Sequence, residues 1–182
     1  MSKIIDCIAY ANKKHSGQTR RETGCPYIQH PMIVSEFVRT YKESKNIVSM
    51  VCAALLHDVI EDCIEGDTTE ELSKNLKKTK LEIKEKFGEM TLSLVEELTS
   101  DDEEIKRIGK NAHLIKKMLK MSSYALVIKL CDRLSNVVDK PKMKYLEDTA
   151  ELMLALEERK LSNTHRAIMI EINKVVIKRL TK

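Results

Sequence analysis

Apolar positions recur along this chain three or four residues apart, and strand-like alternation is sustained nowhere. The spacing predicts a first helix from about Ser2 to His15, a loop from Ser16 to His30, and a second helix opening at Pro31, a residue suited to a first turn. A third helix is predicted over approximately Lys45 to Asp62. Asp67-Thr68-Thr69-Glu70-Glu71 reads as an N-cap followed by acidic first-turn residues, and the helix it opens ends at Phe87-Gly88, with Gly88 as terminator. Thr91 to Leu98 reads as a short helix and Asp102 to Met121 as another. Ser122 or Ser123 caps a helix over Tyr124 to Val138, and helices over roughly Lys142 to Arg159 and Asn163 to Leu180 follow. The fold class expected is all-α, a helical bundle in a single domain over 1–182, with C-terminal helices at about 142–180.

Composition narrows this picture. At 182 residues the chain can bury a substantial core as one domain. Aromatics are only 4% and Trp is absent, so aliphatic side chains and Met must fill that core. The net charge of +4 is the small difference between 32 basic and 28 acidic residues, which argues against a general nucleic-acid binder. Lys74 to Lys86 is a dense charge run, read as the solvated face of an amphipathic helix. Five cysteines (Cys7, Cys25, Cys52, Cys63 and Cys131) form no C-x-x-C, which disfavours a disulfide framework or zinc knuckle and fits a reducing, cytoplasmic setting. The N-terminus shows no signal-peptide pattern, and no apolar run approaches the ~20 residues of a bilayer span, so no membrane association is expected.

Three clusters carry candidate chemistry. In Ala53-Ala54-Leu55-Leu56-His57-Asp58-Val59-Ile60-Glu61-Asp62, a histidine and three carboxylates interrupt a core-like stretch. Burying such groups is costly, and a bound metal is the usual compensation. On one helix, His57/Glu61 and Asp58/Asp62 are i,i+4 pairs within an arc of roughly 140°. In Lys129-Leu130-Cys131-Asp132-Arg133-Leu134-Ser135-Asn136, the residues Lys129, Asp132, Arg133 and Asn136 form a polar stripe about 100° wide. That stripe is either a structural ion-pair network or a metal ligand beside phosphate-binding donors. In Tyr27-Ile28-Gln29-His30-Pro31, His30 stands at a loop-to-helix transition, as a structural residue or a ligand facing a cleft. Arg20 and Arg21 in the preceding loop suit phosphate contact or base stacking. His15 is read as a helix-end packing residue, and His113 and His165 as exposed.

Together these blocks resemble the HD superfamily of metal-dependent phosphohydrolases, and within it the hydrolase domain of the RelA/SpoT alarmone enzymes and their stand-alone relatives. The blocks are His15-Ser16-Gly17-Gln18-x-Arg20, Gly24-x-Pro26-Tyr27-Ile28-x-His30-Pro31, Ala53-Ala54-Leu55-Leu56-His57-Asp58-x-x-Glu61-Asp62, Phe87-Gly88 and Lys129-Leu130-x-Asp132-Arg133-Leu134-x-Asn136. They lie within a motif-bearing core at about 4–138. The resemblance implies that His30, His57, Asp58 and Asp132 bind one divalent ion, with Mn²⁺ the family expectation and a mixed N/O ligand set consistent with it. It implies that Glu61 and Asp62 orient and activate the attacking water and deliver a proton to the leaving oxygen. It implies substrate contacts for Arg20, Arg21, Lys129, Arg133 and Asn136.

The sequence departs from the family pattern in four places. An extra residue shifts the Arg20/Arg21 alignment, Cys63 replaces a Thr, Ser135 stands where His or Tyr is common, and the 63–86 segment is long. The activity implied is hydrolysis of guanosine 3′-diphosphate 5′-di- or triphosphate to GDP or GTP and pyrophosphate. The alternatives are an HD phosphohydrolase acting on a nucleoside monophosphate or NADPH, and a non-catalytic regulator that binds nucleotide. The chain is too short, and too poor in strand patterns, for the synthetase domain of the long RelA/SpoT enzymes.

Overall fold

A computed structural model describes residues 2–21, 23–139 and 141–181. Among these residues every regular element is a helix: α1 (Lys3–Lys14), α2 (Gln29–Tyr41), α3 (Ile47–Leu56), α4 (Val59–Asp62), α5 (Thr69–Phe87), α6 (Glu89–Leu98), α7 (Asp102–Ile108), α8 (Lys110–Lys120), α9 (Ser123–Val138), α10 (Met143–Leu156) and α11 (Asn163–Leu180). The extended pairing present among them is an isolated bridge between Thr19 and Pro26. The all-α expectation holds. The chain divides into two compact units, one ending at Thr99 and the other beginning at Ser100, where the hydropathy pattern alone suggests one domain.

In the first unit α3 is the central element, with every residue from Met50 to Leu56 buried. Helices α1, α2 and α6 pack on it, and α5 packs on α6. A helix apolar on all sides is what such a central position requires. In the second unit α11 packs on α9 and α10, and α10 also packs on α8. Caps match the local sequence: Thr68 accepts from the Glu71 backbone N–H, Ser122 from that of Ala125, and Ser162 from that of His165.

Two predicted helices are each divided. The helix expected over Lys45–Asp62 ends at Leu56 and restarts at Val59. The His57 ring donates from Nδ1 to the Ala54 carbonyl at 2.7 Å, engaging an acceptor that a continuing helix would offer to backbone, and Asp58 follows at φ −97°, ψ −5°. The helix expected over Asp102–Met121 breaks at Gly109, whose φ of +87° no continuing right-handed helix allows. Helix α2 starts at Gln29, two residues before Pro31.

Two histidines expected to be exposed are buried. His113 donates from Nδ1 to Glu104 at 3.0 Å and accepts from the Asp101 backbone N–H. His165 closes a capping box by accepting from the Ser162 N–H at 3.1 Å, and donates from Nε2 to the Ser123 carbonyl at 3.0 Å. Each ring is drawn inward because both of its nitrogens find partners there.

Candidate metal centre and active site

The first unit gathers His30, His57 and Asp58, whose candidate ligand atoms all lie within 4.8 Å of one another. His30 is the second residue of α2 and His57 the C-cap of α3, and Asp58 begins the turn into α4. Both imidazoles are buried, while the Asp58 side chain keeps 14% exposure. The His30 and His57 rings meet edge-on at 5.3 Å.

The donor set fits a divalent ion. Because the Ala54 carbonyl can only accept, His57 carries a proton on Nδ1, so Nε2 is the nitrogen that a metal ion would use. That Nε2 lies 3.0 Å from Asp58 Oδ2. His30 Nε2 lies 3.9 Å from the same carboxylate oxygen. Two imidazoles and a carboxylate make a mixed N/O set open to several first-row divalent ions.

Glu61 and Asp62 follow at the end of α4, with Asp62 held one turn from Asp58 by its backbone N–H donating to the Asp58 carbonyl at 2.8 Å. The break at His57 means that Asp58 and Asp62 keep the expected one-turn relation, whereas His57 and Glu61 do not share a continuous helix. Desolvation, then the charges of Asp58 and Glu61, push the Asp62 carboxyl above the usual carboxylate range. Desolvation, with Asp62 and Asp58 close by, pushes the Cys63 thiol up to about 12.

Sequence reasoning assigned no role at this centre to Tyr27 or Gln18. The Tyr27 hydroxyl donates to Asp58 Oδ2 at 2.6 Å, and Gln18 Nε2 donates to the Asp62 carbonyl at 2.9 Å. Both lie inside quoted motif blocks, but only the fold shows what they touch. His15, the helix-end residue, is buried against Tyr27 with ring centroids 4.7 Å apart. Arg20 is half-buried and Arg21 exposed. The Arg20 backbone N–H donates to the Cys25 carbonyl at 2.8 Å, and the Arg20 carbonyl accepts from the Gly24 N–H at 2.8 Å.

The remaining candidates belong to α9 in the second unit. Asp132 is buried, with Lys129 Nζ at 3.0 Å and Asn136 Nδ2 donating to it at 2.6 Å. Arg133 leaves this group: its guanidinium lies over the Tyr145 ring at 4.4 Å and donates to Thr149 at 3.2 Å. The expected polar stripe is therefore a Lys129–Asp132–Asn136 cluster plus an arginine turned onto α10.

Two histidines and an aspartate whose donor atoms converge, with an acidic pair a turn further on, make an all-helical site that could hold a metal ion. A family profile described as HD domain matches residues 7–153. The chain belongs to the HD domain family, whose members are metal-dependent. It is 33% identical over 160 residues to guanosine-3′,5′-bis(diphosphate) 3′-pyrophosphohydrolase of Aquifex aeolicus (strain VF5), covering 82% of this chain but only 20% of that protein. It is 30% identical over 139 residues to guanosine-3′,5′-bis(diphosphate) 3′-pyrophosphohydrolase MESH1 of Homo sapiens, covering 76% of this chain and 69% of that one. A solved structure described as "A metazoan ortholog of SpoT hydrolyzes ppGpp and plays a role in starvation responses" shares the fold at a TM-score of 0.74 and 24% identity, over 98% of this chain and 96% of that one. No helix among the described residues is long and apolar enough to cross a membrane.

Proposed function

We propose that the protein is a divalent-metal-dependent guanosine 3′,5′-bis(diphosphate) 3′-pyrophosphohydrolase. Water cleaves the bond between the ribose 3′-oxygen and its phosphorus, giving GDP, or GTP from the pentaphosphate, and intact pyrophosphate. The observation that carries this reading is the His30–His57–Asp58 cluster, with Glu61 and Asp62 beside it. The chain bearing it aligns over three quarters of its length with MESH1, a protein named for that activity. The HD domain match runs from 7 to 153, through both compact units, and supports treating them as one functional domain.

His30, His57 and Asp58 would hold the ion, and the motif assigns Asp132 as a further ligand. Mn²⁺ is the ion we propose, on the mixed N/O set. A divalent ion held there would lower the pKa of the attacking water and screen charge on the attacked phosphoryl group. Glu61 orients that water and accepts its proton. Asp62, its carboxyl already raised by burial and negative neighbours, is suited to hold a proton and pass it to the leaving 3′-oxygen. Arg20 and Arg21 are assigned to the guanine base and phosphates. Lys129 and Asn136 are assigned by motif to the ribose and phosphate groups. The contacts of Arg133 with Tyr145 and Thr149 support a packing role for it in place of substrate contact. Five free cysteines and a nearly balanced charge support a cytoplasmic enzyme of a small nucleotide, without nucleic-acid binding.

The test is to incubate the purified chain with Mn²⁺ and ppGpp and separate the products. Stoichiometric GDP and pyrophosphate are expected. Orthophosphate as the product, or turnover only of a nucleoside monophosphate or NADPH, would replace this reading with another HD phosphohydrolase activity. Binding of ppGpp without turnover would replace it with a regulatory one.

A further inference from the structure

The turn from Asp58 to Asp62 carries a proposed metal ligand at one end and a proposed proton-transfer group at the other. It is only one helical turn, closed by the Asp62 N–H to Asp58 carbonyl bond and by the Cys63 N–H to Val59 carbonyl bond at 3.2 Å. So short a helix holds its geometry poorly by itself, because nucleation fixes many dihedrals for few hydrogen bonds. Both ends are tied to the same neighbouring segment. At the Asp58 end, the Tyr27 hydroxyl donates to Oδ2 at 2.6 Å. At the Asp62 end, Gln18 Nε2 donates to the backbone carbonyl at 2.9 Å and lies 3.9 Å from Cys63 Sγ.

One buried side chain braces both ties. Since Gln18 Nε2 is spent as a donor, its Oε1 is the acceptor facing His15 Nδ1 at 2.7 Å, and the His15 proton is on Nδ1. Cys63 Sγ also lies 3.3 Å from that nitrogen. The His15 ring lies at 35° against Tyr27, with centroids 4.7 Å apart. His15 thus orients the amide of Gln18 through a hydrogen bond and the phenol of Tyr27 through ring contact.

We propose that Tyr27 and Gln18, braced by His15, are positioning residues that clamp the two ends of the Asp58–Asp62 turn and set the metal ligand against the acidic pair. The inference rests on the proposed function for what the pair does, and on hydrogen bonds within one compact unit for how it is held. Partners of metal ligands of this kind change metal affinity by about 10–100-fold when removed. Tyr27 and Gln18 act at opposite ends of the turn, so their loss should read out differently.

The test uses the full chain stripped of metal, titrated with Mn²⁺ by calorimetry, with amide exchange at Asp62 and Cys63 followed by NMR and turnover measured on ppGpp. Tyr27→Phe keeps the ring and should weaken Mn²⁺ binding by about tenfold or more. Gln18→Met keeps the length but loses both polar ends. It should speed exchange at Asp62 and Cys63 and lower kcat by about tenfold or more, with KM and Mn²⁺ affinity changed less than about twofold. His15→Asn keeps an N–H donor for Gln18 and should retain more turnover than His15→Leu. The clamp is overturned if Tyr27→Phe binds Mn²⁺ like wild type, or if Gln18→Met leaves amide exchange unchanged. It is also overturned if kcat and Mn²⁺ affinity fall and KM rises together in Gln18→Met, or if the two His15 variants fall equally. A wild-type protein that binds Mn²⁺ but leaves ppGpp intact removes the substrate reading alone, and affinity and amide exchange then decide the clamp.

Discussion

The Nδ1 of His57 donates to the carbonyl of Ala54 at 2.7 Å where α3 ends, and the ring's Nε2 lies 3.0 Å from Asp58 Oδ2. One interaction accompanies both the break in the helix and the placement of the proposed ligand. His57→Ala should therefore lose metal binding while far-UV circular dichroism retains the helix content, since the ring contributes no helical turn. Asp132→Ala should lose metal binding and activity in the same way. Full metal stoichiometry in either variant removes that residue from the ligand set.

Glu61 and Asp62 follow the proposed ligands on a separate short helix and need not coordinate. The double variant Glu61→Gln, Asp62→Asn should keep metal and nucleotide binding and lose turnover by about 10²–10⁴-fold, the range for removal of positioned acid–base groups. Single-turnover assays at saturating Mn²⁺ measure this directly. Turnover equal to wild type would leave the pair without a catalytic role.

These residues also show what a one-dimensional reading can reach. The helical period placed α5, α9 and α11 within a residue or two because each opens on a side-chain cap and buries a regular face. It did not reveal the break at His57, because that depends on a ring reaching back to a carbonyl. It did not anticipate the burial of His165, whose Nε2 partner Ser123 stands on another helix. The His30–His57–Asp58 cluster was legible through motif order, since nothing local to His30 distinguishes a ligand from a helix-start residue. The contacts of Gln18 and Tyr27 are tertiary, and only the folded chain discloses them.

A stability prediction follows from the second unit. Lys116, then His113, hold the Glu104 carboxyl well down, at about 2, with Arg107 adding to them. A carboxyl lowered in the folded state contributes stability that is complete above its unfolded pKa of about 4.3. That contribution is lost as pH falls from there through about 2. Urea midpoints should thus decline more steeply over that window in wild type than in Glu104→Gln. The difference should shrink at high salt, because the group is solvent-accessible and screened. Parallel acid profiles for the two proteins would show that the cluster contributes nothing to stability.

Three arginines test the proposed division between substrate recognition and packing. Arg20 and Arg21 stand on a turn whose backbone is pinned by Arg20 and Cys25, and Arg21 is exposed to whatever binds there. Arg133 is buried, stacked on Tyr145 and bonded to Thr149. A planar guanidinium can grip a phosphate with two parallel bonds or stack on a flat base, so removing one that contacts substrate costs binding rather than folding. Arg20→Ala or Arg21→Ala should raise KM for ppGpp about tenfold, equivalent to ~1.4 kcal/mol, with metal content and melting temperature unchanged. Arg133→Met should do the opposite: it should leave KM unchanged and destabilise the fold by about 1–3 kcal/mol, through the lost ring contact and an unsatisfied partner. Steady-state kinetics and urea denaturation on the three variants decide the matter. A wild-type KM in both loop variants would make that turn a solvated surface and weaken the alarmone reading against a generic HD phosphohydrolase. A raised KM with unchanged stability in Arg133→Met would return that residue to the substrate site.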